Sequence, residues 1–203
     1  MKDETLSLLT DFGEFALDSF LNDGIIKDLP IIGPTFSIIK LCKSIQDMLF
    51  IKKLRAFIEN IEKNEKWREK FSDYSECESI SKKLLYIINS SDDEEKLKLI
   101  GISFNYFING RISKDDYFFI VTIINQSFFP YLKKLLEIDE QQFTNNGKKF
   151  DIFMITHLLT IGVLDQYTQT YGGYDKNKIY TPSYKVVCIN YFGKIIKELL
   201  EKW

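Results

Sequence analysis

Histidine occurs once in the 203 residues, at His157. A metal site built on several imidazoles is thereby excluded, and neither a Cys–His nor a Ser–His catalytic pair finds support. On the apolar face of a predicted helix, His157 reads as a histidine satisfied within the core. Cysteine is nearly as scarce. Cys42, Cys77 and Cys188 stand far apart with no CxxC spacing, which argues against a disulfide framework or zinc site and for buried thiols in a reducing cytoplasm. Arginine is confined to Arg55, Arg68 and Arg111, so 24 of the 27 basic residues are lysine. Three guanidinium groups leave little scope for bidentate phosphate recognition. A formal net charge of −2 adds no pull toward nucleic acid or an anionic membrane.

Long apolar runs are missing as well. Residues 29–39 contain two prolines, and residues 117–132 contain Asn125, Gln126 and Pro130, so both fall short of the roughly 20 apolar residues that span a bilayer. Residues 1–23 carry acidic side chains where a signal peptide would have a basic region and an apolar core. A cytoplasmic protein without a transmembrane segment is expected. At this length about 70% of the extended-chain surface can be buried, so no disulfide or metal staple is needed.

The stretch 23–63 is where the chain commits itself. Ile38, Leu41, Ile45, Met48, Ile51, Leu54, Ile58 and Ile61 recur at three- and four-residue steps, which predicts one long helix opened by Gly33 and Pro34. Before it, residues 3–22 show the apolar stripe Leu6, Leu9, Phe12, Phe15, Ala16 and Phe20 of an acidic first helix, expected to lie across the lysine-rich one. Residues 64–74 read as a charged connector carrying Trp67 and Phe71. A helix over 75–89 turns Ile80, Leu84, Ile87 and Ile88 inward. Ser91 with Glu94 makes a capping-box pattern for the next, over 92–109, whose inward residues are Leu97, Ile100, Phe104, Phe107 and Ile108.

FINGRISKDDYF at 107–118 resembles the second half of an EF-hand loop, with Gly110, Ile112, Ser113 and Asp116 in place. The first half fails, because the same frame puts Phe107 and Asn105 where calcium needs oxygen ligands. Helix punctuation explains every residue instead: Gly110 ends one helix in the left-handed conformation, Ser113 caps the next, and Asp115 and Asp116 occupy its positive first turn. Residues 117–126 then read as a buried helix, and Pro130 starts or kinks a further turn through Leu136.

Residues 138–149, rich in Gln and Asn with Gly147, are the best linker candidate, dividing a helical bundle over 1–137 from a different pattern over 150–203. Phe153, Met154, Leu158 and Leu159 predict a helix stopping at Gly162. A strand follows over 163–171, then the turn residues GGYDKN at 172–177, a return strand over 179–189, and a last helix over 191–202 capped by Asn190. The expected fold is thus mainly α, a multi-helix bundle ending in a winged-helix-like helix/β-hairpin/helix subdomain packed on it.

A winged helix would bind DNA through basic residues on the groove-entering helix, and 150–162 has none. Lys176, Lys178 and Lys185 in the hairpin could reach phosphates. Tyr167, Tyr171, Tyr174 and Tyr180 favour a protein contact, tyrosine being enriched in interfaces. The candidate partner-binding set is therefore Tyr167, Tyr171, Tyr174, Lys176, Lys178 and Tyr180. No catalytic, metal or cofactor residues stand out, so a non-enzymatic protein without a cofactor is expected. Nucleic acid is a weaker alternative, a membrane-active segment at 24–39 a third, and self-association stays open.

The segments DGIIKDLPIIGPTFSIIKLCKSIQDMLFIKKLRAFIENI, SDDEEKLKLIGISFNYFINGRIS and LLTIGVLDQY with its hairpin resemble an uncharacterised bacterial family of about this length, akin to abortive-infection alpha proteins of phage-defence and prophage neighbourhoods. The resemblance covers most of the chain. The lysine, isoleucine and asparagine bias also resembles coding in an A/T-rich bacterial or phage genome. One departure is NYFG at 190–193, where winged helices commonly start their last helix with Thr; asparagine is chemically equivalent as a cap. What the resemblance implies is a part in phage–host conflict, exerted by binding a host or phage protein.

Overall fold

A computed structural model of the chain describes residues 45–62, 74–138, 143–144, 151–170, 173–175, 178–180 and 183–203. The described chain is mainly helical, with β structure near its C-terminal end, and divides between Ser113 and Lys114 into two compact units. That division falls ahead of the 138–149 stretch. The predicted helix over 3–22, the entry at 24–39 and all of the 64–74 connector but Tyr74, which opens the next helix, lie outside the described residues.

In the first unit, helix α1 (Ile45–Ile58) packs against α2 (Tyr74–Ser90) and α3 (Glu94–Ile108). Ile51, Leu54 and Ile58 are buried, as the helical period requires, and Ala56 and Phe57 join them. The helix ends a turn earlier than the sequence pattern suggests. Ile61 still reaches the core, but after the last helical turn the chain is captured by the side chain of Asn105. The Asn105 Nδ2 donates to the Asn60 carbonyl at 3.0 Å, and its Oδ1 accepts from the Glu62 N–H at 2.9 Å. Only 7% exposed, this carboxamide does what a neighbouring backbone would do, satisfying one donor and one acceptor at a helix end. Gly101 makes the approach feasible: a Cβ there would overlap the carbonyl oxygen of Phe57 and lie 3.2 Å from the Asn60 Cβ. Phe57 and Phe104 meet edge-on at 5.9 Å beside this contact.

Polar contacts trim the same junction. Lys52 pairs with Glu94 at 2.6 Å and Lys53 donates to the Asn89 carbonyl at 2.8 Å, tying α1 to the start of α3 and the end of α2. The cap of α3 is Asp93, whose Oδ1 accepts from the Glu95 N–H at 2.8 Å, rather than the Ser91 of the capping-box pattern. Ser91 is buried instead, and Asp92 pairs with Lys96 one turn on. The hydrogen bond from Lys96, with its charge close by, holds the Asp92 carboxyl below the usual carboxylate range.

Gly110 has φ +71°. The N–H of Arg111 reaches the Tyr106 carbonyl and the N–H of Gly110 that of Phe107, the paired bonds of a Schellman C-cap. The same device recurs in the second unit at Gly162, φ +80°, where Val163 bonds back to Leu158 and Gly162 to Leu159. Both glycines stop their helices as the sequence indicates.

The second unit opens with α4 (Lys114–Gln126), which buries Tyr117, Ile120, Val121, Ile123 and Ile124. Phe119 and Thr122 face solvent, so this helix, read from sequence as buried, is amphipathic. Burial raises the Tyr117 phenol well above its ordinary value. Helix α5 (Phe129–Lys133) has Pro130 in its first positions and runs into a 3-10 turn, Lys134–Glu137. A two-residue strand β1 (Phe143–Thr144) follows, then α6 (Ile152–Thr160), β2 (Leu164–Thr170), β3 (Gly173–Asp175), β4 (Lys178–Tyr180), β5 (Ser183–Ile189) and α7 (Tyr191–Glu201).

Strands β1, β5 and β2 form an antiparallel sheet in that order, and β3 pairs with β4 in a separate ribbon. The residues Gly173, Tyr174 and Asp175, read from sequence as turn, are strand. In α6 the buried side chains are Met154, Ile155 and Leu158, while Phe153, expected inside, is 74% exposed. Two overlapping helical stripes compete there, and the one containing Ile155 faces the core.

Candidate interaction surface

The base of the hairpin is a tightly tied corner. Asn190 caps α7, its Oδ1 accepting from the Gly193 N–H at 2.9 Å, while its Nδ2 donates to the Gly162 carbonyl at 3.0 Å and to the Asp165 Oδ1 at 3.2 Å. The Asn190 N–H donates to the Val163 carbonyl at 3.2 Å. Gly193 is required beside it, since a Cβ there would overlap that same carbonyl oxygen. One asparagine thus joins the end of α6, the start of β2 and the start of α7.

From this base β2 and β5 run out in a register that pairs Leu164 with Ile189, Gln166 with Val187, Tyr167 with Val186 and Thr168 with Lys185. Leu164, Val186, Val187 and Ile189 are buried. Asp165, Gln166, Tyr167 and Thr168 are all exposed, four in succession. Further out, Gly173 stands opposite Tyr180, Tyr174 opposite Ile179 and Asp175 opposite Lys178. Of the sequence-derived set, Tyr167 lies on β2, Tyr174 on β3, and Lys178 and Tyr180 on β4. Tyr171 and Lys176 lie outside the described residues. Lys185 sits on β5, one register position from the Tyr167 pair.

Sequence reasoning missed a second feature of this unit, the large aromatic side chains it leaves in solvent. Phe128 is exposed and meets Tyr131 edge-on at 5.0 Å, and Tyr131 meets the His157 ring at 5.8 Å. The Phe128 N–H donates to His157 Nε2 at 2.8 Å, which requires that nitrogen to be unprotonated. His157 is therefore engaged, as its sequence context suggested, but half-buried at a helix corner rather than inside a core. Phe153 stands one turn before it on α6. Elsewhere in the unit, exposed Phe119 packs on Phe192 at 4.5 Å beside exposed Tyr191. Lys133 holds its ammonium 5.1 Å from the rings of both Phe129 and Trp203. The FFP sequence at 128–130, two phenylalanines held at a proline-started turn, was the one available signal.

Among the described residues no group of three or more His, Cys, Asp or Glu could hold a metal ion, and no described helix is long and apolar enough to cross a membrane. No family model, curated protein or solved structure matches the chain.

Proposed function

We propose that this chain is a non-enzymatic binding protein that acts in phage–host conflict by seizing a protein partner. The observation that carries the reading is the set of large aromatic side chains exposed on the second unit: Phe119, Phe128, Phe153 and Tyr191, with Tyr167 on the hairpin. Such residues anchor interfaces, where each buries much area at small cost in rotamer entropy. The resemblance to abortive-infection alpha proteins supplies the biological setting, and a cytoplasmic location follows from that setting. The test is affinity capture of the tagged protein from its bacterial host, with and without infection and nuclease, comparing wild type with Phe153→Ser and Tyr167→Ala. A nuclease-resistant partner lost with either substitution supports the reading. Identical capture by all three proteins refutes it.

A winged-helix regulator is the second reading. The sheet order β1–β5–β2, with a helix before the hairpin and another after it, supports it. Against DNA binding stands α6, IFMITHLLT, which is capped by Asp151 and carries neither Lys nor Arg. If hairpin lysines held phosphates, replacing Lys176, Lys178 and Lys185 with Ala would abolish binding and flatten its salt dependence. Unchanged affinity would remove the idea.

A further inference from the structure

The dipeptide Asn109-Gly110 closes α3 inside the FINGRISKDDYF stretch, and there two requirements oppose each other. Gly110 must be glycine because the helix stop holds it at φ +71°. Lacking a Cβ, it is also the residue that least hinders its own nitrogen from attacking the asparagine before it. In that attack the Gly110 nitrogen gives its proton to a solvent base and bonds to Asn109 Cγ, and the side-chain nitrogen leaves as ammonia. Water then opens the five-membered imide. Addition at Cγ gives aspartate, and addition at the main-chain carbonyl gives isoaspartate, which lengthens the main chain by one carbon within the helix stop.

The folded stop opposes the first of these steps. The ring closes only when the Gly110 nitrogen is eclipsed with the Asn109 Cβ. Asn109 has φ −76° and ψ 0°, which eclipses that nitrogen with Asn109's own nitrogen instead. By the tetrahedral geometry at Cα the reactive position is about a third of a turn away. The Gly110 N–H is committed to the Phe107 carbonyl at 3.0 Å, the Asn109 N–H to the Asn105 carbonyl at 2.9 Å and the Arg111 N–H to the Tyr106 carbonyl at 2.9 Å. Turning ψ of Asn109 to the reactive position breaks the stop and swings the chain that follows, where the Arg111 guanidinium lies 5.0 Å from the Tyr106 ring centre and Ile112 is buried. We propose that Asn109 is a modification site locked by the fold: it deamidates through the imide when the first unit opens and is spared while the unit is closed. Because the ammonia is lost, the chain keeps a chemical record of having opened.

Ageing the full chain in mildly alkaline buffer across a guanidinium chloride series tests it. Trypsin releases residues 99–111, LIGISFNYFINGR, in which mass spectrometry locates the converted residue, and Asn105, followed by the bulky Tyr106, is the internal control. Amide hydrogen exchange in α3 measures opening of the first unit under the same conditions. In the unfolded chain Asn109 should convert far faster than Asn105. In buffer it should convert at least roughly tenfold more slowly than in full denaturant, and its rate should rise together with α3 exchange. Gly101→Ala, which acts at the α1 contact rather than at the stop, should speed conversion in buffer roughly tenfold, in proportion to the opening it causes. Conversion in buffer as fast as in denaturant overturns the proposal, as does an Asn109 that stays intact in the unfolded chain. A rate that climbs before α3 exchange does, or that ignores Gly101→Ala in a folded variant, means that the stop frays alone and overturns the link to the unit.

Discussion

Replacing Gly101 with alanine probes the closest helix contact in the first unit. In an isolated helix the change would stabilise by about 1 kcal/mol, since glycine is the costlier residue in a helix interior. Here the added methyl meets the Phe57 carbonyl oxygen, part of the α1 backbone, which cannot swing aside as a side chain would. The helices must part before the carbon fits. Overpacking of that kind costs about 1–3 kcal/mol. Parting the helices also stretches the two hydrogen bonds of Asn105 to Asn60 and Glu62, each with a net contribution of about 1 kcal/mol. Subtracting the propensity gain leaves a net loss of about 2–3 kcal/mol, a drop of several degrees in the melting temperature of the first unit. Urea denaturation followed by far-ultraviolet circular dichroism measures it. A Gly101→Ala protein as stable as wild type, or more so, would refute the close approach and the reasoning built on it.

Other perturbations have separate readouts. Asn105→Ala leaves a carbonyl and an N–H without their partner and should destabilise by about 2–4 kcal/mol in the same assay, and Asn105→Asp, which sets a buried carboxylate oxygen against the Asn60 carbonyl, should rescue none of it. Alanine at Gly110 or Gly162 forces an L side chain into left-handed backbone and should cost about 1–2 kcal/mol each by thermal melting. Removing the acceptor for the Phe128 N–H with His157→Ala should speed amide hydrogen exchange at Phe128, while wild type retains protection there. The depressed Asp92 carboxyl contributes stability that is present above the unfolded carboxylate value and lost as pH falls through the lower folded one. Asp92 is mostly exposed, so the effect is shallow: denaturation midpoints of wild type and Asp92→Asn should differ at pH 7 and converge in strong acid.

What the sequence disclosed follows from how local each signal is. Gly110 and Gly162 were legible because a left-handed helix stop needs glycine wherever it occurs, and their backbone bonds close within six residues. The burial of Ile51, Leu54 and Ile58 on α1 was legible from period, whereas that of Ala56 and Phe57 was not. The α3 cap was read as Ser91 from the capping-box pattern, but Ser90, Ser91, Asp92 and Asp93 have nearly equal capping chemistry, and the structure seats Asp93 there with Ser91 buried. Asn105 could not be found, since in FNYF it looks like any polar residue on a helix, and its partners lie more than 40 positions away. Strand β1 was hidden for the same reason: two residues in a Gln/Asn-rich stretch become a strand only through pairing with Val186 and Val187. At the candidate surface, the tyrosines pointed to the hairpin, but the exposed Phe153 was masked by a rival helical stripe that fitted the period equally well.

The corner at Asn190 has a consequence for how this protein can change over generations. The hydrogen bonds and the close backbone approach that fasten the base of the hairpin are gathered in Gly162, Val163, Asp165, Asn190 and Gly193, where a substitution breaks several bonds at once. Among the described residues, β3 and β4 pair with each other and with neither of the long strands. A change at Asn190 gives up three side-chain hydrogen bonds in one step, so this position can vary little while the fold is kept.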